Sequence, residues 1–359
     1  MFLNSVGMLL TFRCNAMCRH CCFEAGPERT DRMPIEDARR FVREVSRAGG
    51  RGVVFTGGEP FVEYETLRAV VAEAGRLGLR VRIVTNGLWA ASERHARRLL
   101  RVLCQEGLKT LTVSYDEPHE ACVPGERVRT AVAVALDLGL RVIVSSAILD
   151  GDLESAVSSL LERLDLPPHP SLWVKPGHVS PNGRALSSFD SSSFAGLDLS
   201  SGAKRLDGPC AFVVAEPVVT PAGDLAACCS PATATRTGFR PEFVVGNLHR
   251  TSLRRLQEDL ETDPLFLFLM LRGPWALRQV AGESGVEPDT RTPIVNQCDL
   301  CAALLHDGAA TRALREFLLP RRAELELQAI HLAASLGDRY DDYLEARAGL
   351  RRLVGAGSA

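Results

Sequence analysis

Lysine is nearly missing from this 359-residue chain: Lys109, Lys175 and Lys204 are the only three among 42 basic residues. We read that bias as the codon usage of a GC-rich genome, not as chemistry. Neither sign of charge dominates. The formal net charge of −2 excludes bulk electrostatic binding to nucleic acid or to an acidic membrane surface. No apolar run approaches about 18 residues, so no transmembrane helix is expected. The opening "MFLNSVGMLL" lacks the basic stretch and small-residue cleavage site of a signal peptide. A cytoplasmic location is therefore expected, where cysteines act as ligands, catalytic groups or core residues rather than as disulfides. Against these absences the chain carries eleven cysteines.

The first half repeats one unit. Short β-rich runs, "GMLLTF", "GVVFTG", "LRVRIVTNG", "KTLTVSYD", "LRVIVSSAI" and "SLWVKPG", alternate with amphipathic stretches such as "PIEDARRFVREVSRAG" and "SERHARRLLRVLCQEG". The stretches carry apolar residues at helical spacing and end at glycine. After the first strand the repeat is about 30 residues, the length of a βαβ unit. The expectation is an α/β chain built on a partial (β/α)6 TIM-like barrel over residues 1–188, with its chemistry at the C-terminal strand ends. An open doubly wound sheet is the alternative. A Ser/Gly-rich linker is expected at 189–205, a less regular region at 206–305, and an amphipathic helical tail at 306–359, interrupted at Pro320.

Four cysteines fall within "CNAMCRHCC". Cys14, Cys18 and Cys21 are spaced C-x3-C-x2-C on the loop after the first strand. Zinc sites usually draw ligand pairs from two separate knuckles. Three cysteines on one loop instead suit three corners of a cubane iron–sulfur cluster, with one iron left for a substrate or cofactor. The second strand ends in Gly57-Gly58-Glu59-Pro60, where paired glycines allow close backbone approach to a ligand.

In these two motifs and the βα repeat, residues 8 to about 180 resemble the radical S-adenosylmethionine (radical SAM) superfamily. The resemblance implies that Cys14, Cys18 and Cys21 hold a [4Fe–4S] cluster whose fourth iron binds SAM. Gly57, Gly58, Glu59 and Pro60 would form the site of the SAM amino group. Asn86 in "TNG" ends the third strand. Ser114 and Asp116 end the fourth, where ribose contacts are usual, and Arg184 lies in the "NGRA" turn that approaches adenine. His20 stands where many members have an aromatic residue. The implied activity is formation of a 5′-deoxyadenosyl radical that abstracts a substrate hydrogen, with a reductant such as flavodoxin or ferredoxin supplying the electron.

A second set of cysteines lies downstream. Cys210, twelve residues, Gly223, four residues and Cys228 resemble the opening of SPASM and twitch modules, which carry auxiliary clusters, and Cys298-x2-Cys301 follows. No cysteine comes after Cys301, which points to the shortened, twitch-like α+β form. Cys210, Cys228, Cys298 and Cys301 would hold one auxiliary [4Fe–4S] cluster; a four-cysteine zinc site is the competing reading. Cys229 is either a substitute for Cys228 or a buried neighbour.

Glu117, His119 and Cys122, on the loop after the fourth strand, are candidates to contact substrate or move a proton or hydrogen atom. Two substrate classes stay open. One is a ribosomally made peptide, crosslinked, thioether-bridged or epimerised, with a separate peptide-recognition protein as a possible partner. The other is a small molecule such as an amino sugar alcohol or a nucleotide. A third reading is a non-catalytic iron–sulfur sensor or electron carrier.

Overall fold

Six apolar runs form parallel strands: β1 (Ser5–Thr11), β2 (Gly52–Gly57), β3 (Arg80–Thr85), β4 (Leu108–Ser114), β5 (Arg141–Ile148) and β6 (Leu172–His178), hydrogen-bonded in chain order. Between them run α1 (Ile35–Arg47), α2 (Tyr64–Arg76), α3 (Glu93–Glu106), the short α4 (Glu117–Glu120), α5 (Gly125–Asp137) and α6 (Leu153–Leu164). The computed structural model describes residues 2–197, 199, 206–336, 343 and 351–352, the last two as backbone only.

The local reasons are visible helix by helix. In α1, Ala38, Phe41, Val42 and Val45 share one buried face, Glu36 and Asp37 sit in the first turn, and Arg47 is in the last; this charge order complements the helix dipole. The fully buried Phe41 contributes about 1.5–3 kcal/mol by burial. Ser92 caps α3 by accepting from the His95 amide, and the helix stops at Gly107 with φ 122°. The strand faces that meet the helices are largely apolar: Val53, Phe55, Val81, Ile83, Leu111, Val113, Val142 and Val144 are all buried in the first core. The alternate residues, which face the lumen, include Arg82, Thr110, Thr112, Arg141, Ser145 and Lys175. A polar lumen of this kind is not a packed core and leaves room for a ligand.

The sheet does not end at β6. After α7 (Arg184–Ser188), strand β7 (Val218–Val219) adds parallel to β1 on the other edge. β8 (Asp224–Ala226) and β11 (Val244–Asn247) then continue the sheet antiparallel. β9 (Ala234–Thr235) and β10 (Gly238–Phe239) form a separate hairpin, and β12 (Arg351–Arg352) pairs antiparallel with β6. Five helices complete the described chain: α8 (Leu253–Thr262), α9 (Pro264–Ala281), α10 (Gln297–Leu304), α11 (Gly308–Leu318) and α12 (Arg322–Leu336). They pack a second core around Phe243, Leu260, Phe266, Leu269, Leu304 and Leu314.

Two expectations need correction. The region expected to be irregular contains α9, whose run "PLFLFLM" is buried from end to end and which kinks at Gly273–Pro274. Residues 189–197 are not a free linker: Phe194 is buried with Val179 and Val295, the Ala195 amide donates to the Leu149 carbonyl, and Arg19 lies over the Phe189 ring. Residues 198 and 200–205 of that expected linker lie outside the described residues, as does most of the tail beyond 336. Pro320 does divide the tail, falling in a short turn between α11 and α12. Among the described residues, no helix is long and apolar enough to cross a membrane.

Candidate active site and a second cysteine cavity

The loop that follows β1 is held by its neighbours before any ligand is considered. Thr11 pairs with Arg32 and Arg13 with Gly26, and the Cys14 amide donates to the Gly26 carbonyl. The end of β2 closes on the loop's first residues: the Gly58 amide donates to the Thr11 carbonyl and the Glu59 amide to the Arg13 carbonyl. A Cβ on Gly58 would sit 2.1 Å from the Arg13 oxygen, and one on Gly57 (φ 133°) 2.3 Å from the Thr11 oxygen. The glycine pair is therefore needed for strand-to-loop contact.

Cys14, Cys18 and Cys21 line one cavity of about 290 Å³ together with His20, Gly57, Gly58, Thr85, Asn86, Ser114, His119 and His178. Burial pushes the Cys14 thiol up to about 12, and raises Cys18 as well, with the neighbouring sulfurs adding to the shift. Such thiols stay protonated unless a cation or metal stabilises the thiolate. Backbone amides already point at two of the sulfurs: Ala16 N lies 3.4 Å from Cys14 Sγ and Ala25 N 3.3 Å from Cys21 Sγ. The Asn86 side-chain amide also donates to Cys14 Sγ at 3.6 Å and to Asn15 Oδ1 at 2.9 Å.

Glu59 stands behind this wall and does not line the cavity. It is fully buried. Its Oε1 accepts from the Phe61 amide (3.0 Å) and the Thr85 hydroxyl (2.8 Å), and its Oε2 from the Asn86 amide (2.8 Å). Burial outweighs those three donors and raises the carboxyl to about 7. Neither Glu59 nor Pro60 lines the cavity; Glu59 fixes Asn86, and Asn86 reaches Cys14. Gly57, Gly58, Asn86 and Ser114 do line the cavity.

Asp116 and Arg184, expected near ribose and adenine, likewise stand outside the cavity lining. The buried Asp116 caps α4. Its Oδ1 accepts from His119 Nδ1 at 2.7 Å, its Oδ2 accepts from the Ala147 amide at 3.1 Å, and His20 Nε2 lies 3.6 Å from Oδ2. Burial alone would raise Asp116, but the bond from His119, the two imidazoles and the Ala147 amide hold it below its ordinary value. Burial pushes His20 down to about 4. The Arg184 guanidinium donates to the Cys18 and Ala25 carbonyls at 2.8 and 2.7 Å, bracing the cysteine loop from outside the cavity. Of the three catalytic candidates, His119 lines the cavity, whereas Cys122 is half-buried beside it and Glu117, at the start of the capped turn, is exposed.

The other four cysteines also converge. Cys210, Cys228, Cys298 and Cys301 line an apolar cavity of about 80 Å³ with Phe212, Val213, Phe243 and Leu269. Asn296 caps α10 by accepting from the Cys298 and Asp299 amides, which places the C-x2-C pair on its first turns. Burial pushes Cys298 up to about 12 and raises Cys228 and Cys301 well beyond the ordinary thiol value. Cys229 is not among the four. It opens onto the barrel lumen, where burial and Glu216 raise it to about 11 against the lowering effect of Lys175 and Arg82. Sequence reasoning missed Arg82, Lys175, His178 and Cys229 as lumen residues; the alternation within the strands carried the signal for the first three.

The spacing of the sulfurs bears on what either set can hold. Among the described residues, no three cysteine sulfurs lie within 4.8 Å of one another; the one such trio of ligand-type groups is His20, Asp116 and His119. Their hydrogen bonding accounts for that closeness.

Residues 8–164 match the profile of the radical SAM superfamily, and that stretch is a radical SAM domain. Among similar proteins, YydG of Bacillus subtilis (strain 168), assigned to peptide biosynthesis, is 23% identical over 322 residues, spanning 86% of this chain and 94% of YydG. GTP 3′,8-cyclase 2 of Mycobacterium tuberculosis (strain ATCC 25618 / H37Rv) is 33% identical over 160 residues, covering 41% of this chain and 42% of the cyclase. The solved structure of anSMEcpe with bound AdoMet aligns with 90% of this chain and 99% of its own, at a TM-score of 0.52 and 13% identity. That last likeness is one of fold.

Proposed function

We propose that this chain is a radical SAM enzyme that modifies a ribosomally made peptide, by crosslinking, thioether formation or epimerisation. The observation that carries the peptide reading is the alignment with YydG, which runs nearly the full length of both proteins. When bound, a [4Fe–4S] cluster and SAM supply reductive cleavage of the sulfonium and a 5′-deoxyadenosyl radical that takes a hydrogen atom from the substrate.

The chain's own residues do the rest. Cys14, Cys18 and Cys21 would hold the cluster, and three ligands would leave one iron for SAM. The Asn86, Ala16 and Ala25 amides stabilise the thiolates. Gly57, Gly58 and Ser114 offer backbone and hydroxyl contacts to the cofactor. Asp116 orients the His119 imidazole toward the cavity, where it is placed to hold or move a proton near the substrate. His20 Nδ1 and His178 Nε2 are buried in the cavity wall without a hydrogen-bond partner, as expected of groups that await a ligand. Cys210, Cys228, Cys298 and Cys301 would hold an auxiliary [4Fe–4S] cluster saturated by protein, suited to electron relay or support.

A second reading, rearrangement of a nucleotide, is favoured by the 33% identity to the cyclase over the barrel. Anaerobic incubation with SAM, a reductant and short peptides encoded beside this gene separates the two. A mass change or deuterium uptake in one peptide supports the peptide reading. Turnover of GTP with no change in any of the peptides overturns it.

A further inference from the structure

The two cysteine cavities share a wall. Pro231 lines the upper one with the loop cysteines, and the preceding Ser230 lines the second with Cys228 and Cys298. A single peptide unit therefore separates the two linings at this point. Ser230 Oγ accepts from the Ala232 amide at 3.2 Å and caps the short turn Pro231–Thr233, while the Thr233 hydroxyl donates to the Ser230 carbonyl at 3.0 Å. Burial raises the Cys298 and Cys228 thiols. Bonds from the Ser230 hydroxyl to the first and from the Ser230 amide to the second act against it.

On its other side the wall is tied to the cysteine loop by Asn182, in the turn after β6. Asn182 Nδ2 donates to the Pro231 carbonyl at 2.7 Å and to the Ala234 carbonyl at 2.8 Å. The next two residues meet the loop. Gly183, at φ 56°, has no room for a Cβ, which would stand 2.7 Å from the Cys21 oxygen and 2.5 Å from that of Cys22. The Arg184 amide donates to the Cys21 carbonyl at 3.1 Å. One path of covalent and hydrogen bonds thus runs from Cys21 through residues 182–184 and the Ser230–Pro231 unit to Cys298 and Cys228. A second tie lies alongside. Asn296, the cap of α10, donates from Nδ2 to Ser180 Oγ at 3.3 Å, and Ser180 lines the upper cavity.

Electrons pass quickly along short, continuous bonded routes and slowly across gaps. We propose that the two cysteine sites exchange a single electron across this wall, with Asn182 as the positioning residue that keeps the route closed. The proposal rests on the reading above in which each set holds a [4Fe–4S] cluster. The exchange makes and breaks no bond: the second site is oxidised by one electron, and the loop site is reduced by that same electron. The second site then serves as a store that readies the loop for another SAM cleavage.

The test counts electrons. The reconstituted full-length protein is reduced with titanium(III) citrate until both clusters show by electron paramagnetic resonance, desalted anaerobically to remove excess reductant, and mixed with SAM alone. Each 5′-deoxyadenosine uses one electron, so the parent is expected to give about two per chain in two phases, and Cys298→Ala about one. The signal of the second cluster is expected to fade with the second phase. In Asn182→Ala the first phase is expected at the parental rate and the second at least about tenfold slower, with iron content and melting close to the parent's. Should that variant lose iron, the parent's count still decides. About one 5′-deoxyadenosine per chain from the parent, with its second cluster still reduced, overturns the exchange and leaves the radical SAM reading standing. A second phase that slows on dilution, or that Asn182→Ala leaves unchanged, overturns the route through the wall. No 5′-deoxyadenosine at all overturns the radical SAM reading instead.

Discussion

Three cysteines of the loop after β1 share their cavity with His20, Asn86, Ser114, His119 and His178, whereas the four C-terminal cysteines share theirs with Phe212, Val213, Phe243 and Leu269. The first cavity has polar groups left over, two of them unmatched imidazole nitrogens. The second is smaller, lined by apolar side chains with Ser230, Thr233 and Gln297 among them, and holds four cysteines. A site one ligand short and rich in donors suits a bound cofactor and a reacting substrate. A saturated site in an apolar pocket suits electron transfer or support. Under the proposed function the same residue type would serve two purposes, with the surroundings deciding which.

The largest expected effect separates the two sites outright. Cys14→Ala, Cys18→Ala or Cys21→Ala should each abolish 5′-deoxyadenosine formation, measured by chromatography after anaerobic reduction with SAM. Retention of activity in any one of them breaks the comparison.

Next comes Gly58→Ala, whose added carbon meets the Arg13 carbonyl oxygen at 2.1 Å. Backbone on both sides leaves no flexible group to yield. Loading of the loop cluster should fall at least about tenfold, read from the visible absorption per chain, while the C-terminal set still binds iron. The two sites would then be resolved in one protein.

Cys298→Ala tests the other side. Iron is expected to drop from about eight to about four atoms per chain, with substrate-free SAM cleavage kept within a few-fold and peptide product lost. Four iron plus one zinc in the parent protein would instead restore the zinc reading of the second cavity.

The smallest effect falls on Glu59. Its folded-state carboxyl stands at about 7, above the ordinary 4.5, so its contribution to stability is fully present below about pH 4.5. That contribution is lost as the pH rises through about 7. Glu59→Gln should remove this dependence from a denaturation series across that window. It should also destabilise by about 1–3 kcal/mol, because a glutamine NH2 cannot accept from the amides and hydroxyl that now surround the carboxylate. An unchanged pH slope in the variant would mean that Glu59 does not titrate there.

Much of this was legible in the sequence, for reasons that differ by feature. The six parallel strands declared themselves through apolar runs at even spacing, and the cysteine loop through C-x3-C-x2-C. Local pattern was less informative wherever long-range contact decides the outcome. Nothing near Glu59 announces that Thr85 and Asn86 will consume its oxygens, so it read as a ligand contact. Arg184 read as an adenine neighbour because its role, bracing the Cys18 and Ala25 carbonyls, spans more than 150 positions of chain. The serine-rich stretch at 189–197 looked loose although its two phenylalanines dock. The alternation of arginine in "LRVRIV" did signal a polar lumen; a period of two with charge on one face marks a strand side that is not packed core.

The most direct measurement is anaerobic incubation of the reconstituted protein with SAM and dithionite, followed by quantification of 5′-deoxyadenosine against the remaining cluster. The account predicts 5′-deoxyadenosine in the parent and none in the Cys18→Ala variant. No 5′-deoxyadenosine from the parent, with its loop cluster spectroscopically intact, would contradict it and favour a sensor or electron carrier.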